Sequence, residues 1–236
     1  MYVIIPAAGY ATRLSALTEN QPKHLLKVKD KTILDYIIDK LSGIEVEDII
    51  IVTNNKYYKN FLEWNKNFKI LNDNTTSNSD RLGAIGDICF ALDHFDIYNE
   101  EIMIIAGDNL FKFSLERFYD FYKQKNSPVV AVFDVKDLNL AKQFGNITLD
   151  AYNKIINFIE KPQDPKTTLS ATMCYIFDKE STKLFKEYKN LGLPMDKMGD
   201  FISFLIKKKN IYGYIFKEDW FDIGNLSELE RAQREF

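Results

Sequence analysis

Cysteine and histidine are scarce in this chain, and no part of it is strongly basic. The two cysteines, Cys89 and Cys174, form neither a CxxC pair nor a metal-ligand spacing, which excludes a disulfide framework and a cysteine-held metal centre. Each sits among apolar residues, as reduced thiols in a core do. The two histidines, His24 and His94, are read as incidental rather than catalytic. No linker rich in Pro, Gly or Ser divides the chain, and no internal repeat is present. No apolar run approaches the roughly 20 residues of a membrane-spanning helix. Met1 leads straight into an apolar segment without a basic region or a small-residue cleavage site, so no signal peptide, no membrane partner and a cytoplasmic location are expected. The formal net charge of -3 and the pI near 5.6 leave no basic footprint, which argues against nucleic acid as a partner. An anionic small molecule remains open, because a phosphate answers to local Arg and Lys clusters rather than to net charge.

What is present is a large apolar and aromatic fraction. Of 236 residues 46% are hydrophobic, with 18 Phe and 13 Tyr, enough for a sizeable core and against disorder. Residues 2–6 (YVIIP) read as a buried strand and 32–42 as an amphipathic helix with Thr32 as its cap. Strand-like segments at 48–53, 68–71, 102–106 and 129–135 then alternate with helical ones at 56–66, 82–94 and 114–125. That alternation predicts βαβ units and an α/β fold: a Rossmann-like, mostly parallel sheet flanked by helices. After about Asp137 the pattern changes. Segments 146–149, 154–160 and 171–177 look like strands without long helices between them, as in a small antiparallel insertion. Helices at 179–190 and 199–208, a strand near 211–216 and a helix from about 226 complete the chain. One domain over 1–236 is expected, with a first half at about 1–137 and a second at about 138–236. The polar stretch 72–81 (NDNTTSNSDR) is too long for a simple turn, and loops of that length are often functional.

The first strand delivers the chain into AAGYATRLSALTENQPKHLL. Small residues Ala7, Ala8 and Gly9 permit close approach to backbone N–H groups, which can face phosphate or a base edge. Arg13 adds a planar, permanently charged fork and Lys23 a mobile point charge, an arrangement suited to a polyphosphate. Taken alone, such a turn is equally a packing device between strand and helix. A dinucleotide fingerprint fails here: Leu14 occupies its third glycine position, and Val52-Thr53-Asn54-Asn55 has no acidic residue for a ribose.

The same stretch resembles the signature of the sugar-phosphate nucleotidylyltransferases, the nucleoside-diphosphate-sugar pyrophosphorylases that include glucose-1-phosphate thymidylyltransferase. Their G-x-G-T-R-L-x-P-L-T, P-K-x-L-L-x-V and K-P-x-L are matched by Gly9, Thr12, Arg13, Leu14, Leu17, Thr18, Pro22, Lys23, Leu25, Leu26, Val28, Lys31 and Leu34. The chain departs at Ala11, where the family has Gly, at Ala16, where it has Pro, and at Thr32. Three further fragments follow in the family's order: AGDN at 106–109, EKP at 160–162 and WFDIG at 220–224. Each alone would pass for a solvated turn; all of them in order would not.

The resemblance implies a nucleotide-diphospho-sugar transferase fold and transfer of a nucleotidyl group to a sugar 1-phosphate, with release of pyrophosphate. It implies Mg²⁺ held by Asp108 and Asp222, since Mg²⁺ takes one or two carboxylates plus substrate phosphates. Arg13 would neutralise the triphosphate, with Lys23 beside the reacting phosphates, and Lys161 would hold the acceptor phosphate. Glu160, Gly145 and Asn109 would line the acceptor site; Ala7, Ala8, Gly9, Thr12, Asn78 and Gly83 would contact the nucleotide. The base-reading segment departs most: Asn78 stands where many relatives have Gln, and Arg81 is an added charge, read as pairing with Asp80. Met173-Cys174 stands where the family shows a Thr-Gly step, which reshapes the acceptor pocket. The chain ends twelve residues after Gly224, so a bare catalytic domain without β-helix or helical extension is expected. Relatives often assemble, which leaves a homo-oligomer open. Two other readings stay open: a cytidylyltransferase for phosphocholine or another non-sugar phosphate, and an inactive nucleotide-sensing homologue.

Overall fold

The computed structural model describes residues 1–14, 17–64 and 67–236. Ala16, one of the departures from the family pattern, and the end of the helix expected at 56–66 lie outside the described residues. The chain begins with β1 (Tyr2–Pro6), a small hairpin of β2 (Lys27–Val28) and β3 (Lys31–Thr32), and α1 (Ile33–Asp39). It continues through β4 (Asp48–Thr53), α2 (Tyr58–Trp64), β5 (Lys69–Asn72), α3 (Ala84–Phe95) and β6 (Ile102–Ile105). Next come β7 (Asn109–Phe111), α4 (Leu115–Lys125), β8 (Val129–Asp134), α5 (Leu138–Ala141), β9 (Gly145–Leu149) and β10 (Ile155–Glu160). The last elements are β11 (Leu169–Phe177), α6 (Lys179–Asn190), α7 (Met198–Leu205), β12 (Tyr212–Phe216), β13 (Trp220–Asp222) and α8 (Leu226–Glu235).

The expected α/β class is what these elements build. One large sheet runs in the order β10-β9-β11-β6-β1-β4-β5, with β8 and β12 joined through β11. It is parallel from β6 through β1 and β4 to β5. The antiparallel strands enter the same sheet through β11, which pairs with β6, β8 and β9. The short apolar strands are buried on both faces: Val3 and Ile5 face one core with α1, α4 and α8, and Ile4 faces the other with α3, α6 and α7. That two-sided burial explains why YVIIP reads as a continuous apolar run rather than an alternating one.

Local signals agree with these elements. The Thr32 hydroxyl accepts from the Asp35 N–H while the Asp35 carboxylate accepts from the Thr32 N–H, a reciprocal capping box for α1. No described helix is long and apolar enough to cross a membrane. Both cysteines are buried free thiols, as expected.

Candidate active site

The carboxyl ends of β1, β4 and β6 open onto one edge of the sheet, where α/β folds hold ligands. As the chain leaves β1, the Ala7 N–H is donated to the Val52 carbonyl at 2.7 Å, so Ala7 continues the ladder and offers nothing to a nucleotide. Asn54 donates its side-chain amide to the Ala8 carbonyl at 2.7 Å and pins the turn. Beyond it the N–H groups of Gly9, Tyr10 and Ala11 carry no hydrogen bond among the described residues, and a Cβ built on Gly9 would meet nothing within 4 Å. The turn therefore presents an open, donor-lined surface. Ala11 sits at φ 48, a left-handed backbone that costs a non-glycine residue about 1–2 kcal/mol. That conformation is the physical reason for glycine in the family pattern. After the extra unfolded-state entropy of glycine is subtracted, Ala11→Gly is expected to raise stability by about 0.5–1 kcal/mol. Thermal unfolding would register this as a higher midpoint; a lower one would mean the loop carries no such strain.

Two short 3₁₀ turns set the cations. Thr12–Leu14 leaves Thr12 and Arg13 exposed, and the Arg13 guanidinium packs beside Gly224, where an added Cβ would lie 3.4 Å from it. Lys23–Leu25 places the Lys23 ammonium in an ion pair with Asp108. His24, the next residue, is buried with Nδ1 unpartnered. Burial, followed by the Lys23 charge, pushes its pKa down to about 3, so the imidazole is neutral. A Cβ on Gly107 would come within 2.9 Å of the His24 ring. His24 thus supports the turn that carries Asp108 and is not incidental to the site.

The two carboxylates are brought together by a short antiparallel pair absent from the sequence reading. In it β7 pairs with β13, matching Asn109 to Asp222, and the Ile223 N–H donates to the Asp108 carbonyl at 3.0 Å. Asn109 donates its amide to Asp108 Oδ1 at 3.0 Å and accepts from the Trp220 indole. These two bonds make Asn109, which also lines the first cavity, a positioning residue for Asp108. Burial alone would raise the Asp108 pKa, but the adjoining Lys23 ammonium holds it down to about 2. Burial and then the Asp108 charge push Asp222 up to about 6, against the pull of Lys23, Arg13 and Lys161. No side-chain partner for Asp222 is present among the described residues. A half-buried carboxyl beside a second carboxylate, without a side-chain partner among the described residues, fits a hard divalent cation.

Glu160, Lys161 and Gly145 meet on the other side. Gly145 pairs with Glu160 across β9 and β10, and a Cβ there would lie 2.4 Å from the Phe158 ring. The room left by this glycine is filled by Phe158 and Glu160 and not kept for a ligand. Burial raises the Glu160 pKa, and the nearby Lys161 lowers it in part. The cleft consists of two adjoining cavities. One of about 280 Å³ runs past Gly9, Lys23, Gly83, Asp87, Asp108 and Trp220. The other, about 210 Å³, is lined by Gly145, Glu160, Lys161 and Lys197. Met173 and Asp222 face both. Met173 forms a bulge in β11, at φ 55, beside the carboxyl end of β6.

The loop before α3 differs from expectation. Arg81 does not pair with Asp80; it grips Asp196 with Nε and Nη2 at 3.1–3.2 Å, while Asp80 accepts from Thr76 and Ser77. Asn78 is exposed, lines neither cavity, and takes part only through its carbonyl, which accepts from Arg81. Thr12 lines neither cavity either. Asp87 was not expected. It lies on α3 with Ala84 and Ala91, and a charged residue on that buried face was the available signal.

A donor-lined turn, two cations, two half-buried carboxylates and a divided cleft thus stand at the carboxyl edge of the parallel part of an α/β sheet. The chain belongs to the nucleotidyl transferase family, whose model matches residues 2–236. It is 32% identical over 234 residues to the bifunctional protein GlmU of Methanocaldococcus jannaschii, covering 99% of this chain and 54% of that protein, so it spans about half the length of that curated relative. Its fold is similar to a Bacillus anthracis crystal structure described as a glucose-1-phosphate thymidylyltransferase in complex with sucrose, with TM-score 0.85 and 23% identity over 99% of this chain and 94% of that one. A UDP-glucose pyrophosphorylase complexed with UDP-glucose gives TM-score 0.84 and 21% identity over 99% and 98% of the two chains.

Proposed function

We propose that this protein transfers a nucleotidyl group from a nucleoside triphosphate to a sugar 1-phosphate. The observation that carries this reading is Asp222 facing both cavities, with Asp108 and Lys23 in the first, Lys161 and Glu160 in the second, and Arg13 in a third of about 490 Å³ that Asp222 also lines. The family membership and the activities of the relatives support it. In the reaction, an oxygen of the acceptor's phosphate attacks the α-phosphorus of the triphosphate. The bond from that phosphorus to the oxygen bridging to the β-phosphorus breaks, and pyrophosphate leaves with the electron pair. Two anions must meet, so alignment and charge neutralisation do most of the work.

Each side chain then has a defined task. Arg13 and Lys23 offset the triphosphate charge, and Lys161 holds the acceptor phosphate in line. Glu160 accepts from acceptor hydroxyls. Asp108, oriented by Asn109 and Trp220, and Asp222 would hold Mg²⁺, which when bound neutralises phosphate oxygens as a Lewis acid. No general base is required, because the attacking phosphate is ionised at neutral pH. The halves about 1–137 and 138–236 would serve nucleotide and acceptor in turn within one catalytic domain.

The reading is tested by pyrophosphate release with Mg²⁺ across the common nucleoside triphosphates and dTTP, set against sugar 1-phosphates and choline phosphate. Release that requires one triphosphate and one sugar 1-phosphate is expected. Product from choline phosphate alone would replace the sugar reading, and silence across the panel from protein that binds a triphosphate would favour the sensing homologue.

A further inference from the structure

Of the ionisable side chains lining the first cavity, Lys23 pairs with Asp108 and Arg81 with Asp196. Two carboxyls lack a partner among the described residues: Asp222 and Asp87. Asp222 sits with the phosphate-handling groups. Asp87 is on the first turn of α3, 6% exposed, and its Oδ1 is buried without a hydrogen bond. An unsatisfied buried carboxyl costs stability, and a ligand that satisfies it recovers that cost.

The donors around Asp87 are already engaged. The N–H groups of Ala84, Ile85 and Gly86 are given to the carbonyls of Asp196 and Met195 at 3.0–3.2 Å, and the Asp87 N–H to Gly83 at 2.8 Å. The Arg81 guanidinium is held by Asp196 and the Asn78 carbonyl. Nearby, Asp73 adds a second buried carboxyl whose Oδ2 is also unpartnered, while its Oδ1 accepts from Thr75. This end of the cavity therefore presents acceptors. With the triphosphate at Lys23, the wall of this cavity that carries Asp87 is left for the base.

We propose that Asp87 is the base-reading residue and that it selects a nucleoside triphosphate whose base carries an exocyclic amino group. Uracil and thymine meet the site with an acceptor–donor–acceptor edge, so their two carbonyl oxygens would oppose the carboxyl oxygens. An amino group donates into them, with the N–H groups of the first loop left for a ring carbonyl. Burial, with Asp73 adding to it, pushes the Asp87 pKa up, and an amino group donating to its oxygens favours the ionised, acceptor-only form.

This inference rests on the nucleotidyl-transfer reading but is tested without an acceptor. The affinities of CTP, ATP, GTP, UTP and dTTP are measured with Mg²⁺ by calorimetry on the wild-type chain, Asp87→Asn and Asp87→Ser, with inorganic pyrophosphate binding and thermal unfolding as checks on fold. The expected result is that one amino-bearing triphosphate binds the wild type at least about tenfold more tightly than UTP and dTTP. That preference should fall about tenfold or more in both variants, while pyrophosphate affinity holds. Tightest binding of UTP or dTTP by the wild type, or an unchanged ranking in folded variants, would overturn the proposal. Failure of all triphosphates to bind would instead contradict the nucleotidyl-transfer reading itself.

Discussion

Asp222→Asn is expected to lower turnover by about a thousandfold or more while leaving the fold intact, and its melting temperature should equal or exceed that of the wild type. The reason is electrostatic. In the free protein the Asp222 carboxylate is half-buried beside Asp108 with no side-chain partner among the described residues, so its negative charge is a burden that an amide removes. In the reaction the same charge is needed against the phosphates. Asp108→Asn should be equally inactive but less stable, because it weakens the anionic partner of the Lys23 ammonium. Steady-state rates and melting curves on both variants separate the roles. Wild-type turnover in Asp222→Asn would remove that residue from the mechanism.

Gly83→Ala is expected to be the most damaging small substitution in the cleft wall. Gly83 precedes α3 at φ 82 and ψ 167, a region that is essentially glycine's alone. An added Cβ would lie 2.4 Å from the Asp196 Cα and 2.6 Å from the Met195 carbonyl oxygen. Those two residues cap the first N–H groups of α3, so the methyl must drive the 195–196 segment off the helix or tilt the helix itself. Backbone strain and overpacking together should cost about 3–5 kcal/mol, a fall in melting temperature of roughly 10 °C. Nucleotide affinity should fall with it, because Gly83, Asp87 and Asp196 share one cavity wall. A variant that melts and binds as the wild type does would show that this contact yields freely.

The elements with long apolar or periodic patterns were legible in the sequence. Tyr2–Pro6, Asp48–Thr53 and Lys179–Asn190 have the bounds their residues predict. The three-residue strands Asn109–Phe111 and Trp220–Asp222 were not, since a pattern of period two needs more residues to appear. Yet this pair aligns the two carboxylates, so Asp108 and Asp222 could be named from motifs while the means of their meeting could not. Arg81 illustrates the same limit. Its neighbour Asp80 was the obvious partner, and the actual one, Asp196, lies 115 residues away. Glycine-favouring backbone at Ala11 explains a departure that sequence could register only as a mismatch.

Following labelled phosphates distinguishes transfer of a nucleotidyl group from transfer of a terminal phosphoryl group. Triphosphate labelled separately at the α and γ positions is incubated with Mg²⁺ and the sugar 1-phosphate that supports pyrophosphate release. The mechanism predicts that the α label enters a nucleoside diphosphate joined to the sugar, and that the γ label leaves only in pyrophosphate. A γ label in the acceptor or in free orthophosphate, with the nucleoside diphosphate left unjoined, would contradict it.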